Sequence, residues 1–275
     1  MLAPFTRSMT LTLGLCSAAL SPHLLAETDP EPTPFELGAT NISAEGLGAT
    51  TEHTGAYTTG SMSTATRLNL SVKETPQSIS VITRQQMDDF NLNTLTDVLR
   101  QTTGINVQHN DSDRVSYSSR GYGITNFQID GMLNTFGYMK SDADTIIYDH
   151  IEVVRGATGL TTGAGDPSAT INMVRKRPTA QWQAKTGVSA GSHDNYYSYV
   201  DVGGPLAFDG KLRGRTVLAY RDSQSFRDNY GLQRAVGYGI LEGDLSDDTV
   251  LAVGFDYQDK QVQGTSWGTV PYWNS

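Results

Sequence analysis

Residues 151–178 read IEVVRGATGLTTGAGDPSATINMVRKRP: a β-like segment, ten residues carrying four glycines, a second β-like segment and a basic cluster. A glycine-rich turn after a strand can present backbone N–H groups to a phosphate. The phosphate-loop pattern needs Lys-Ser/Thr after its last glycine, but Gly165 is followed by Asp166, Pro167 and Ser168. The dinucleotide fingerprint fails as well, because Ser168 stands where its third glycine belongs and Pro167 where the phosphate-binding helix would open. Other chemistry finds no better footing. There is no nucleophile elbow, no H-E-x-x-H, and no cysteine to pair with a histidine, since the single cysteine, Cys16, lies in an apolar N-terminal run. His23, His53, His109, His150 and His193 show no metal-ligand spacing, so no resident metal and no cofactor are expected. A formal charge of −9 argues against nucleic acid as a partner, because phosphate binding needs clustered Lys and Arg. The bland alternative is that the glycines are packing devices, allowing tight turns and close backbone approach. Arg155, at the mouth of the loop, is then a charge in need of a partner.

The elements around this loop begin after an export signal. Arg7 supplies a basic n-region, residues 11–20 an apolar h-region and Leu24-Leu25-Ala26 a cleavage site, and ten apolar residues are too few to span a bilayer. Leu15 spoils a lipoprotein box at Cys16, so the mature chain lacks cysteine, which suits a bacterial envelope protein better than a disulfide scaffold. Residues 27–65 contain no Lys or Arg but carry Glu27, Asp29, Glu31, Glu36, Glu45 and Glu52 among Gly, Thr and Ser; this composition predicts a flexible tail or a plain linker. Order is expected from Leu68. A strand within TPQSISVIT precedes a Thr83–Gln86 capping box that opens a helix with Met87 and Phe90 as its apolar residues. Asn93 is read as the cap of a second helix, with Leu95, Val98 and Leu99 on one face and Gly104 at its end. Strand candidates follow at 105–108, 115–118, 127–129, 150–154 and 170–175, making an α+β domain large enough to hold a core.

After Pro178 the texture changes. WQAKTGVSAGS, NYYSYVDVGGPL, KLRGRTVLAYRDS, RAVGYGILEGDLS and TVLAVGFDYQDKQ each alternate large or apolar with small or polar residues. Turn signals such as Phe208-Asp209-Gly210 and Ser246-Asp247-Asp248 join some of them. Antiparallel strands of about ten residues match a membrane-barrel signature, and a soluble sandwich is the alternative. No stretch approaches 18 apolar residues, so no transmembrane helix is expected. Five strands cannot close a barrel, and the chain is expected to be the front of a longer protein.

Several ordered motifs now carry a resemblance: ETPQSISVITRQQMDD (74–89), SRGYGITNFQIDGM (119–132), residues 151–178, GGPL (203–206) and SWGTVPYWN (266–274). Together they resemble TonB-dependent outer-membrane ferric-siderophore receptors. Within these, DSDRVSYSSRG, VVRGATGL and the Trp-Gly-x-x-Pro-x-Trp-Asn ending are most similar to receptors for ferric coprogen and related hydroxamates. The apical stretch NTFGYMKSDADT (134–145) departs from that pattern. The resemblance implies an α+β plug domain followed by the first antiparallel strands of a transmembrane β-barrel, 22-stranded in the family. It assigns residues 1–26 to the signal peptide, 27–66 to a flexible periplasmic tail, 67–178 to the plug and 179–275 to the first barrel strands. A signalling domain before the plug is disfavoured, because some 40 residues are too few to fold as one.

The implied function is import of a ferric hydroxamate siderophore across the bacterial outer membrane. The siderophore brings its own chelated iron, and TonB of the TonB–ExbB–ExbD complex supplies the drive to a monomeric receptor set in lipid. A soluble or surface binding module, or a receptor for another ligand, is the alternative. Trp267 resembles a ligand-facing tryptophan, its alternative being a girdle aromatic at the lipid interface. Arg114 is read as a donor to the chelated hydroxamate oxygens, and Tyr122, Phe136, Tyr138 and Lys140 as loop candidates for a largely apolar pocket. Arg120 and Arg155 resemble plug arginines that pair with barrel glutamates, which would lie beyond residue 275; ordinary surface salt bridges are their alternative. FELGATNIS (Phe35, Glu36, Leu37, Gly38, Ala39, Thr40, Asn41, Ile42 and Ser43) resembles a TonB box, an extended segment able to add as a strand to a partner's sheet edge.

Overall fold

The computed structural model describes residues 49–134, 142–157, 167–246 and 248–266. The signal segment, Phe35–Ser43, Phe136, Tyr138, Lys140, most of the glycine-rich loop and Trp267 lie outside them. Two apolar strands build the centre of the α+β domain. β7 (Tyr148–Arg155) and β8 (Ala169–Arg175) are almost wholly buried, as expected of strands covered on both faces. β1 (Ser78–Thr83) pairs with β7 and β7 with β8, all antiparallel. β5 (Asn126–Ile129) runs parallel to β8 and carries the short β6 (Met132–Leu133) at its other edge. Alternation along β7 divides its side chains: Ile151 and Val153 face the main core, and Val154 faces the opposite side. Helices α1 (Arg84–Asp89) and α2 (Leu95–Gln101) cover the first face, burying Met87, Leu95, Val98 and Leu99 against Ile82, Phe127 and Ile171. Met62 and Ala65 cover the second, against Val154, Ile79 and Val81. A separate small sheet is formed by β2 (Asn106–His109), β3 (Val115–Ser119) and β4 (Tyr122–Gly123).

The later strands form an antiparallel meander in chain order: β9 (Gln183–Gly191), β10 (Asn195–Ala207), β11 (Leu212–Gln224), β12 (Gly231–Ser246) and β13 (Thr249–Gln263). Register makes one face of this sheet share a core with the α+β domain. Val217 lies between Asp201 and Tyr238, and Ala219 between Tyr199 and Val236; Tyr197, Val217, Ala219, Val236, Tyr238 and Ile240 belong to the same hydrophobic cluster as Leu95 and Ile147. The opposite face exposes Val188, Val200, Leu218, Leu241, Val253 and Phe255. A continuous apolar outer face is what lipid requires and what a water-exposed sandwich avoids. Among the described residues no helix is long and apolar enough to cross a membrane.

Three expectations change. The segment read as flexible through residue 66 is packed in its second half: Thr51, Met62, Thr64 and Ala65 are buried, because the domain supplies polar partners that composition does not display. Thr94, not Asn93, caps α2. Its hydroxyl accepts the Asp97 N–H (3.1 Å) while Asp97 accepts the Thr94 N–H (3.1 Å), a reciprocal capping box; the Asn93 carbonyl instead accepts the Thr145 N–H. Phe90 closes α1 but is 53% exposed, resting on Tyr57 with ring centroids 6.0 Å apart, so the short helix is anchored by Met87 and by the buried Arg84, which donates to the Thr145 and Tyr148 carbonyls. Gly104 follows the C-cap Thr102 with φ +79°.

The cap reassignment is directly testable. Thr94→Ala is expected to cost α2 about 1 kcal/mol, read as faster amide exchange at Val98 and Leu99, while Asn93→Ala leaves both unchanged. The reverse pattern would restore Asn93 as the cap.

Candidate functional site

The chemistry of the described residues is concentrated where the tail, the α+β domain and the meander meet. Asp149 sits at a register shift in β7, and its carboxylate accepts the backbone N–H groups of Thr51 (2.9 Å) and Glu52 (2.8 Å). The Thr51 hydroxyl donates to the Asp149 carbonyl (2.9 Å). This lands the tail on β7 and aims Glu52 at the wall. The Glu52 carboxylate takes two hydrogen bonds from the Arg215 guanidinium (2.6 and 2.8 Å), and Arg215 takes a second carboxylate, Asp201, in the same forked manner (2.8 and 2.7 Å). Lys176, the last buried residue of the α+β domain, reaches Asp201 at 2.8 Å and Glu52 at 3.5 Å. The four side chains are 2–9% exposed. Gly203 lies opposite Arg215, and a Cβ there would stand 3.1 Å from Arg215 Cγ, so the glycine gives the guanidinium room to bend. Burial pulls the Lys176 ammonium below its ordinary pKa against the pull of Glu52 and Asp201.

Above Lys176 the domain's terminal bases continue into the wall. Arg175 bridges Asp130 of its own domain and Asp256 of β13, each at 2.8 Å. Arg177 reaches Glu242 of β12 at 2.7 Å, and the Tyr238 hydroxyl donates to the Lys176 carbonyl (2.6 Å). At the other end the polarity is reversed. Asp142 pairs with Arg234 and with Lys260 (3.1 Å), and Asp113 pairs with Lys260. Gln258 accepts the Asp144 N–H (2.8 Å), and the Tyr197 hydroxyl donates to the Asp144 carboxylate (3.3 Å). Burial lifts the Asp144 carboxyl above the usual carboxylate range, despite the nearby Arg234 and Arg221.

A second buried cluster lies inside β7. His150 places Nδ1 at 2.5 Å from Asp149 and Nε2 at 3.1 Å from Glu152. Both ring nitrogens face carboxylates and both must donate, so the ring is an imidazolium. Burial alone would depress its pKa, but the hydrogen bonds to Asp149 and Glu152 outweigh burial and lift it to about 9. Burial likewise works against Asp149, yet His150 and the two tail N–H groups hold its carboxyl below the usual range. Glu152 also accepts from Thr64 and from Asn172 (3.4 Å), tying the tail to β8.

Of the residues singled out in the sequence, Arg114 and Tyr122 are described but not brought together. Arg114 lies at the β2–β3 tip, its backbone N–H and Nε both engaged by Asp111. Tyr122 pairs with Ser119 at the far end of β3 and is half exposed. Arg120 is exposed with φ +55°, its guanidinium over Gly156, where a Cβ would come within 2.9 Å. Arg155 is tied to Ser78 Oγ (3.0 and 3.2 Å), Ser80 Oγ (2.8 Å) and the Thr103 carbonyl (2.8 Å). Among the described residues neither arginine forms an ion pair; the barrel glutamates expected for them would lie beyond residue 275. The described domain-to-wall pairs are made by Glu52, Asp88, Asp113, Asp142, Asp144, Arg175, Lys176 and Arg177. Sequence reasoning named none of these eight as a wall contact, although the run Arg175-Lys176-Arg177 at the end of an acidic chain was a visible signal. Among the described residues no cluster could hold a metal ion.

Two outcomes follow from these clusters. Because the folded pKa of His150 lies above its unfolded value, its contribution is complete below 6.5 and disappears as pH rises through about 9. The opening free energy of β7, from hydrogen exchange corrected for intrinsic rates, is expected to fall across that window by on the order of 3 kcal/mol, and His150→Gln to abolish the slope; a flat wild-type profile would refute the imidazolium. Glu52→Ala leaves two buried cations sharing Asp201, a loss of about 3–5 kcal/mol for a broken buried pair. It should free the tail amides at Thr51 and Glu52 to exchange, and unchanged protection would mean that solvent already reaches the cluster.

Comparison with known proteins fits this geometry. Residues 71–170 match the family model for the TonB-dependent receptor plug domain. The ferripyoverdine receptor of Pseudomonas aeruginosa is 51% identical over 246 residues, 87% of this chain and 30% of that one. The crystal structure of the ferripyoverdine receptor of the Pseudomonas aeruginosa outer membrane bound to ferripyoverdine gives a TM-score of 0.77 at 51% identity, over 80% of this chain and 30% of that one. The alcaligin outer-membrane receptor FauA of Bordetella pertussis gives 0.71 at 45% identity, over 78% and 37%. The chain thus spans about a third of the length of the relatives it matches. Residues 71–170 are therefore a TonB-dependent receptor plug domain, and the strands after it match antiparallel strands of the outer-membrane receptor structures.

Proposed function

We propose that this chain is the front part of a TonB-dependent outer-membrane receptor that binds and imports a ferric siderophore. The observation that carries the proposal is a plug joined by buried ion pairs to one face of a sheet whose other face is apolar. Such a sheet suits a lipid-facing wall, and a charged plug held inside it suits a gated passage. Iron travels as cargo inside the siderophore, so the site needs shape, aromatic faces and a few donors rather than metal ligands. The names of the relatives support a ferripyoverdine-type ligand, and the narrower hydroxamate class is kept as the alternative.

The connections suggest which end faces outward. Residues 208–211 make a short turn at one end of the meander, where β12 and β13 also adjoin, and residues 225–230 a longer loop at the other, beside the short 192–194 turn. Barrels keep short turns on the periplasmic side. The β2–β3 tip, bearing Arg114, meets the long-loop end of β13 through Ser112 and Ser266 (2.8 Å), so Arg114 belongs to the proposed ligand side; Trp267, Phe136, Tyr138 and Lys140, outside the described residues, are proposed as ligand contacts from the resemblance alone. Tyr122 is a weaker member, being remote from the tip. At the opposite end of the pathway, Phe35–Ser43 is the proposed TonB contact, a strand added to the partner's sheet edge. Force on that tail reaches Thr51 and Glu52 before any plug strand.

One experiment tests binding and drive together. The full receptor is titrated with ferripyoverdine, ferric coprogen and ferrioxamine while its tryptophan fluorescence is followed, and uptake is measured in iron-starved cells. At least one ferric siderophore is expected to quench and to be imported. Thr40→Pro, which removes an N–H from the paired tail, should abolish uptake at unchanged binding, and Thr40→Ala should be mild. Binding of a cobalamin or a sugar in place of every ferric siderophore would overturn the substrate class, and normal transport by the proline variant would make the tail a linker.

A further inference from the structure

The geometry points to Lys260 as a positioning residue for ligand binding: one wall-borne cation that locks two outer plug segments, through Asp113 and Asp142, into a single arrangement. This rests on the siderophore-receptor proposal above. The two segments are far apart in the chain, one the β2–β3 tip and the other the stretch leading into Thr145. They converge on the same patch of β12 and β13, around a cavity of about 260 Å³ that Ser112, Arg221, Tyr230, Arg234 and Lys260 help to line.

The register explains why the arrangement is strict. Arg234 and Lys260 lie directly opposite one another on neighbouring strands, and like charges so placed repel. They are compatible because the plug supplies carboxylates between them. Arg234 serves Asp142 and lies 3.9 Å from Asp144; both of those belong to one segment. Lys260 alone, among the described residues, touches both segments, with Asp142 at 3.1 Å and Asp113 as its second partner. Arg234 could hold Asp142 without it, but Asp113 has no other base within ion-pair distance among the described residues.

That contact bears on the ligand through the adjacent residue. Asp113 precedes Arg114, the proposed donor, and the Asp113 and Arg114 N–H groups both bind the Asp111 carboxylate (3.0 and 2.7 Å). The tip is thus tied within itself, and it meets the wall end through the Asp113–Lys260 ion pair and the Ser266 N–H to Ser112 hydrogen bond (2.8 Å). Fixing Asp113 fixes the base of Arg114 relative to the aromatic loops. Lys260 itself is 23% exposed and occupied by two aspartates, so it has no ligand role of its own to lose.

The test is a double-mutant cycle on the full receptor, titrated with whichever ferric siderophore quenches the wild type. Lys260→Met and Asp113→Asn are each expected to raise Kd about tenfold, and the pair together no further than Lys260→Met alone, because the link that Asp113→Asn removes is one that Lys260→Met has already broken. Lys260→Arg should return binding to within about threefold, since a guanidinium can still reach both carboxylates. A merely structural role would lower the melting temperature of each variant in step with Kd. Wild-type affinity in Lys260→Met, or additive losses, overturns the inference. If Lys260→Met does not assemble, Asp113→Asn decides alone, and wild-type affinity in that variant overturns the inference equally. A wild-type receptor that binds no ferric siderophore would instead refute the parent proposal.

Discussion

The fold depends on one buried exchange of charge. Glu52, Arg215, Asp201 and Lys176 come from the tail, β11, β10 and the end of the plug, and they meet with almost no access to water. Removing four charged groups from water costs several kcal/mol each, and their attraction offsets this only if every partner is present and well oriented. The forked geometry at Arg215 meets that condition, and the two acids and two bases leave the cluster neutral. It follows that none of the three parts is complete by itself. A wall without the plug would bury Arg215 with Asp201 but lose Lys176, and a plug without the tail would leave Lys176 and Arg215 competing for one carboxylate.

Around this cluster the balance of the ion pairs shifts from end to end. Near the plug's exit most pairs join plug bases to wall acids, Arg175 with Asp256, Lys176 with Asp201 and Arg177 with Glu242, while Asp88 meets Lys185 in the opposite sense. At the other end plug acids meet wall bases, Asp113 and Asp142 with Lys260 and Arg234. A plug turned end for end would set like charge against like, so the pattern acts as an orientation code. Such complementarity contributes more to register than to net stability, because each buried pair nearly repays only its own desolvation. The stabilisation comes from the shared hydrophobic core, in which Leu95, Ile147 and Ile151 meet Val217, Tyr238 and Ile240.

Much of this was legible and the remainder was hidden for definite reasons. Alternation in the later strands showed their two faces. The charged residues of β10 to β13 at Asp201, Arg213, Arg215, Glu242, Asp256 and Lys260 all share the inward parity, a regularity the strand pattern could have exposed. The order of residues 51–65 could not be read locally, because a Gly- and Thr-rich acidic stretch looks unstructured until Asp149 offers a carboxylate to its N–H groups, 98 positions away. The Glu52–Arg215 pair spans 163 positions, beyond any periodicity argument. Arg120 and Arg155 drew attention because each precedes a glycine, yet those glycines, 121 and 156, serve backbone geometry with φ of +85° and +107°. Position in a motif said nothing about which bases the described wall would take.

The same cluster suggests how the proposed pull would be transmitted. Withdrawing the tail removes Glu52 first, since Thr51 and Glu52 hang on Asp149 by backbone N–H groups while the plug strands hold one another by full ladders. What remains is Lys176 and Arg215 against Asp201 alone, one positive charge too many in a site with little exposure to solvent. Arg215 keeps its forked bond to Asp201, and a guanidinium does not give up its proton. The strain therefore falls on Lys176, whose ammonium burial already disfavours. Its exit would loosen the end of β8, in addition to the direct link that Thr64 makes to Asn172 of that strand (2.7 Å). On the proposed reading a pull on the tail would become a change at the end of β8 through electrostatics, while wall pairs such as Arg213 with Asp244 at 2.8 Å are closed among wall residues.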